Sequence, residues 1–212
     1  MVGRTMPGPR ANRAYSAATV AVLVGLCVVA ALGFSRGTGW IARSVTLPVG
    51  TVSLVVASAL TVWSPRRFGW QWGGTGRHWR ALLVSLVGVV AVVGLYRLVS
   101  AGAPYGSSMA EFLVVPLGEE ALFRGFLLTV LVTIFGRWLS QPGATRWAVI
   151  AAGVAFGVGH LGNFGYVPSA FVYLQAAAAT AFGLLAGWMR VRTDSLVGPV
   201  LLHAAMNIVA VA

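Results

Sequence analysis

The chain has 212 residues, 58% of them hydrophobic and only 9% charged, against roughly a quarter charged in soluble domains. With a mean hydropathy of +0.85, this balance excludes an ordinary soluble domain, a disordered chain and a collagen-like or coiled-coil fibre. The net charge of +11 comes from 15 basic residues, all Arg, against four acids. These arginines flank apolar runs and do not form a patch on a soluble module, which argues against nucleic-acid binding and for membrane orientation. The single cysteine, Cys27, permits neither an internal disulfide nor a cysteine-based zinc site.

A helix needs about 20 apolar residues to cross a bilayer core. In chain order the candidate runs are 15–34, 45–63, 81–100, 109–135, 147–161, 169–189 and 197–212, the fifth and seventh being short. Strand-like alternation is absent. The expected fold is therefore an all-α membrane protein, a polytopic bundle of about seven transmembrane helices. The first run is followed by further spans and shows no small-residue cleavage site, so it reads as a span and not as a signal peptide.

The arginines orient the bundle. Arg4, Arg10 and Arg13 precede the first run; Arg66, Arg67, Arg77 and Arg80 follow the second; Arg137 and Arg146 follow the fourth; Arg190 and Arg192 follow the sixth. With seven spans all of these fall on one side, while the opposite loops hold only Arg36 and Arg43, with Arg97 near the end of the third run. The positive-inside rule then places the N-terminus in the cytoplasm, and the Arg-, Ala-, Val- and Gly-heavy usage suggests a bacterial plasma membrane. Residues 64–80 (SPRRFGWQWGGTGRHWR) are rich in Trp, Gly and Arg. They read as a linker with interfacial anchors, with a lid or substrate dock as the functional alternative.

The fourth run carries what a membrane helix should not: Glu119, Glu120 and Arg124 within six positions. Intramembrane charge is costly and marks a protein interior or wet cavity, and a functional site by default. Glu120 and Arg124 are four apart and can pair on one helix face. Glu119 lies about 100° around the helix from Glu120, which points it to a different neighbour and leaves its carboxylate free to act as a base. Phe156 and His160 are four apart in the fifth run, and His203 and Asn207 are four apart in the seventh. A lone membrane His is most often a satisfied helix–helix hydrogen-bonder. Two His, one Asn and a Glu pair on three helices make a constellation around a polar cavity. Gly153 with Gly157, and Gly183 with Gly187, supply the small-residue spacing of close helix packing.

Glu119-Glu120-x-x-x-Arg124, Phe156-x-x-x-His160 and His203-x-x-x-Asn207, in that order on separate runs, resemble the CPBP family. That group comprises intramembrane CaaX-type prenyl endopeptidases and bacterial abortive-infection or bacteriocin-immunity proteins. The resemblance covers about 110–212 and divides the chain into a tail with three helices, 1–108, and a core of four helices, 109–212. It implies an endopeptidase acting on a membrane-associated, CaaX-like or prenylated, protein or peptide. Glu119 would activate a water, His160 would hold and polarise it, and His203 and Asn207 would stabilise the oxyanion. Glu120, Arg124 and Phe156 would support the site.

The chemistry of the residue types agrees, since peptide hydrolysis needs an activated water and oxyanion donors, and no Ser or Cys nucleophile is required. Two points stay open. Glu119, His160 and His203 also form the donor set of a His₂Glu zinc site, although no H-E-x-x-H is present; the preferred reading needs no cofactor. A non-catalytic scaffold or bacteriocin self-immunity protein, and a proton-coupled small-solute carrier using Glu119 and His160, are the alternatives of other classes. Straight helices would moreover set Glu119, His160 and His203 at different depths, with His160 near the outer end of its run and His203 near the inner end of its own.

Overall fold

The computed structural model describes Ala59 and residues 63–100, 115–136, 139, 142–163 and 168–211. Among them every regular element is helical and none is a strand. Two short helices, α1 (Pro65–Phe68) and α2 (Gly73–Arg77), precede α3 (Trp79–Ser100). The charged run folds as α4 (Val115–Glu120), a π-helical stretch (Ala121–Leu127) and α5 (Leu128–Phe135) without a break in the chain. Then come α6 (Gly143–Gly159), a 3₁₀ turn (His160–Asn163), α7 (Ser169–Thr193) and α8 (Val197–Val211).

The local chemistry explains the boundaries. Pro65 opens α1 at its first turn, where a missing N–H costs nothing, and Pro116 and Pro199 lie in the first turns of α4 and α8. Asp194 ends α7 in the left-handed conformation, φ 49°, which Asp tolerates better than most side chains. Ser195 Oγ then accepts the Val197 N–H at 3.1 Å and so satisfies an otherwise orphaned donor at the start of α8.

Small residues decide how the helices meet. α6 and α7 pack antiparallel, Gly153 against Gly183 and Gly157 against Ala176 and Thr180. A Cβ on Gly183 would stand 2.8 Å from Gly153 Cα, so the backbones touch where the small-residue spacing predicts. The π stretch and α5 pack on α6, while α8 lies beside α7 and α3 and also meets α4. The inner surface is apolar, with Phe123, Leu128, Phe156, Met189 and Leu202 at 2% exposure or less.

The outer surface is apolar as well. Val84, Val87 and Val92 on α3, Val154 and Val158 on α6, and Tyr173 and Leu174 on α7 are exposed. Exposed apolar surface of this extent marks contact with lipid or a partner. Among the described residues two helices are long and apolar enough to cross a membrane, Gly143–Gly162 and Ser169–Thr193, and two shorter apolar helices cover Trp79–Leu95 and Val197–Val209. Of the seven expected spans, 15–34, nearly all of 45–63, and 109–114 lie outside the described residues. Residues 64–80 differ from a plain linker: they fold as α1 and α2 and dock on the turn between α7 and α8.

Gly183→Val would force α6 and α7 apart along their glycine contact. The expected loss is about 1–3 kcal/mol, read as a lower midpoint in thermal unfolding of the solubilised protein, while substitution of Gly76, which faces open space, should leave the midpoint unchanged.

Candidate active site

The charged turn is buried. Glu119 is 6% exposed, and Glu120 and Arg124 are fully enclosed. Arg124 Nη1 donates to Glu120 Oε1 at 2.8 Å, the i,i+4 pair expected from spacing. A buried ion pair recovers its desolvation cost only with good geometry and further partners. Here the further partners are aromatic. The Arg124 guanidinium carbon lies 4.2 Å from the Phe156 ring centre, 5.5 Å from Phe182 and 6.0 Å from Phe123. Nε and Nη2 of Arg124 have no hydrogen-bond partner among the described residues, where attraction to the ring quadrupoles stands in for those bonds.

Glu120 Oε1 also accepts from His203 Nδ1 at 2.9 Å, across 83 residues of chain. A carboxylate paired with Arg can only accept, so this nitrogen carries a proton and the other, Nε2, turns elsewhere. It turns toward Glu119, whose Oε2 is 3.6 Å away, too long for a direct hydrogen bond. Periodicity alone points the two carboxylates to different neighbours; the structure instead sets His203 between them, one ring nitrogen for each. The helical angle between adjacent residues is real, but the imidazole is wide enough to present an edge to both.

His160 opens the 3₁₀ turn after α6 and is half-buried. Its Nδ1 donates to the Phe156 carbonyl at 2.9 Å, so the neutral ring offers Nε2 as an acceptor. The difference in depth expected from straight helices is bridged by Phe156, whose ring lies 4.9 Å from His160 and 5.8 Å from His203, both edge-on. Asn207 lies one turn beyond His203 on α8, part-buried. Phe182, on α7, was not singled out by sequence, yet it packs 5.1 Å from His203 and 6.1 Å from Phe156. A phenylalanine in an apolar run carries no signal that separates a cage wall from ordinary core.

A zinc ion on Glu119, His160 and His203 would need the three donors to converge on one point. Among the described residues no group of three or more His, Cys, Asp or Glu could hold a metal ion.

Residues 101–209, just over half of the chain, match the family model of the type II CAAX prenyl endopeptidase Rce1-like proteins. The chain belongs to this family. Membership implies a membrane-embedded peptidase of the CAAX type. No curated protein and no solved structure matches the chain.

Glu120→Ala would leave Arg124 buried without its carboxylate. The expected cost is about 3–5 kcal/mol, seen as a loss of thermal stability and yield. The paired Glu120→Ala/Arg124→Met variant should recover much of that stability, because it removes both charges and keeps an apolar stem against the rings.

Proposed function

We propose that the protein is a multi-pass intramembrane endopeptidase that cleaves a peptide bond in a membrane-associated, CaaX-like or prenylated, protein or peptide. The observation that carries this reading is the junction at His203, where groups from chain segments 83 residues apart meet beside a buried carboxylate that does not pair with Arg124. A scaffold has no need of a second buried carboxylate at the same junction.

In the proposed reaction Glu119 takes a proton from water, and the resulting hydroxide oxygen adds to the scissile carbonyl carbon. His160, with Nδ1–H engaged by the Phe156 carbonyl, accepts from the water through Nε2 and holds it for attack. His203 Nε2 and the Asn207 side chain donate to the oxyanion that forms. While Nδ1–H is held by Glu120, donation from Nε2 makes the His203 ring a cation in that step. The charges balance on both sides of the proton transfer: Glu119 and Glu120 face Arg124 and the His203 cation before it, and once Glu119 is protonated the oxyanion takes its place as the second negative charge. Collapse of the tetrahedral intermediate breaks the C–N bond, and Glu119 returns its proton to the departing amine. No metal takes part on this reading. Glu120, Arg124 and Phe156 support the site: the first fixes the His203 ring, the second fixes Glu120, and the third spaces His160 from His203.

The proposed topology has about seven spans, with the N-terminus in the cytoplasm of a bacterial plasma membrane. All described exposed arginines, Arg66, Arg67, Arg77, Arg80, Arg146 and Arg192, gather at the end of the bundle where α1 and α2, the start of α6 and the end of α7 meet. This agrees with a single cytoplasmic face.

The test is hydrolysis of a fluorogenic membrane-anchored peptide by the purified protein in lipid discs. Glu119→Gln should lower kcat by roughly 10²–10⁴-fold and Asn207→Ala by roughly 10²–10³-fold, with unfolding midpoints close to wild type. Full activity in Glu119→Gln would overturn the assignment of the base. For topology, an Arg66→Cys thiol in a Cys27→Ser background should react with an impermeant maleimide in inverted vesicles and stay unlabelled in intact cells.

A further inference from the structure

His203 and Asn207 can act as oxyanion donors only if α8 holds a fixed position along its own axis, since functional groups need placement within about 0.5 Å. α8 begins immediately after the three-residue turn Asp194–Leu196, so its register is that of the turn. Within the turn, Thr193 Oγ1 donates to Met189 O at 2.8 Å and to Ser195 O at 3.2 Å. Arg190 Nη1 donates to Asp194 Oδ1 at 2.7 Å.

The rest of the hold comes from outside, from residues 68–74. Leu196 N–H donates to Gly69 O at 2.7 Å. Gln71 Nε2 donates to Asp194 Oδ2 at 2.7 Å and to the Asp194 carbonyl at 2.9 Å. Gly74 lies so close to the Thr193 carbonyl that a Cβ would overlap it, and at Gly69, φ 92°, a Cβ would overlap the Arg190 guanidinium. The same segment also touches the opposite half of the site. Phe68 stacks on Phe126 with ring centres 6.2 Å apart, and Phe126 belongs to the π stretch that follows Glu119 and Glu120. Residues 68–74 thus bridge the element carrying the carboxylates and the turn that launches the helix carrying the donors.

We propose that this segment is a brace for the active site and that Gln71 is its positioning residue, acting through Asp194 on the register of α8; the catalytic consequence rests on the peptidase reading. Asp194 is largely exposed, its side chain at 70%, so water can replace the Gln71 bonds when they are lost. Removing them loosens the register without emptying the core, which separates this role from one in folding.

The experiment uses the full chain in lipid discs. Gln71→Ala should lower kcat about tenfold or more, as expected for a displacement of a fraction of an ångström in groups acting on the transition state, with KM and the unfolding midpoint little changed. Gln71→Glu, which sets a carboxylate against Asp194, should lose as much. The paired Gln71→Glu/Asp194→Asn variant reverses the side-chain hydrogen bond, the asparagine amide donating to the new carboxylate, while the bond to the residue-194 carbonyl stays lost, and it should regain part of the kcat lost in Gln71→Glu. A second readout is independent of catalysis: spin labels at Leu117 on α4 and Leu201 on α8, both exposed, in a Cys27→Ser background. Gln71→Ala should broaden or shift their distance distribution, and the reversed pair should restore it in part. An unchanged distribution overturns the brace whatever the assay reads. A shifted distribution in a protein that cleaves no peptide would sink the peptidase reading and leave the brace standing.

Discussion

One carboxylate oxygen carries the interior of this protein. Glu120 Oε1 accepts from Arg124 and from His203 at nearly equal distances. Because all three side chains are removed from water, each depends on the other two. Arg124 without Glu120 is an uncompensated buried charge, and His203 without Glu120 has no fixed proton on Nδ1. The oxygen therefore sets a charge, a tautomer and a long-range chain contact at once. It is also what brings α4 and α8 together at the level where Glu119 stands.

The surroundings follow from the cost of that burial. A guanidinium has more donors than one carboxylate can accept, and among the described residues Glu120 is the acid that Arg124 hydrogen-bonds. Phe123, Phe156 and Phe182 close around it instead, one each from the π stretch, α6 and α7. Phe156 has the largest share, because it also touches both histidines. For Phe156 and Phe182 to reach the same cation, α6 and α7 must lie very close. The Gly153–Gly183 contact permits this, since any side chain there would move one ring away. The π stretch falls at this turn, in keeping with the tendency of such distortions to occur at functional sites.

The described residues are ordered inversely to a soluble protein. Their charges lie in the centre and at one end, while the flanks between them are apolar and exposed. The arginine-bearing helices α1 and α2, with Trp70 and Trp72 between them, sit at the charged end, and their connection is bonded to the α7–α8 turn by Gln71 and Gly69. The segment that reads as an interfacial linker is thereby connected, through a few hydrogen bonds and one ring stack, to both halves of the candidate site.

Sequence alone determined the helical class, the pairing of Glu120 with Arg124 and the glycine contact surface, because each is a matter of composition or of spacing along one helix. It did not predict the π stretch, which no local residue demands, or the cage wall Phe182, which looks like any apolar core residue. It also divided the two carboxylates between separate partners. Periodicity fixes the angle of a side chain about its own helix axis and says nothing of what another helix brings to that angle. Only tertiary packing decided that a single imidazole would stand between Glu119 and Glu120, that Phe156 would join two histidines expected at different depths, and that residues 68–74 would clamp the turn before α8. Each is a contact between segments distant in the chain, set by how closely the helices approach and not by any one helix's pattern.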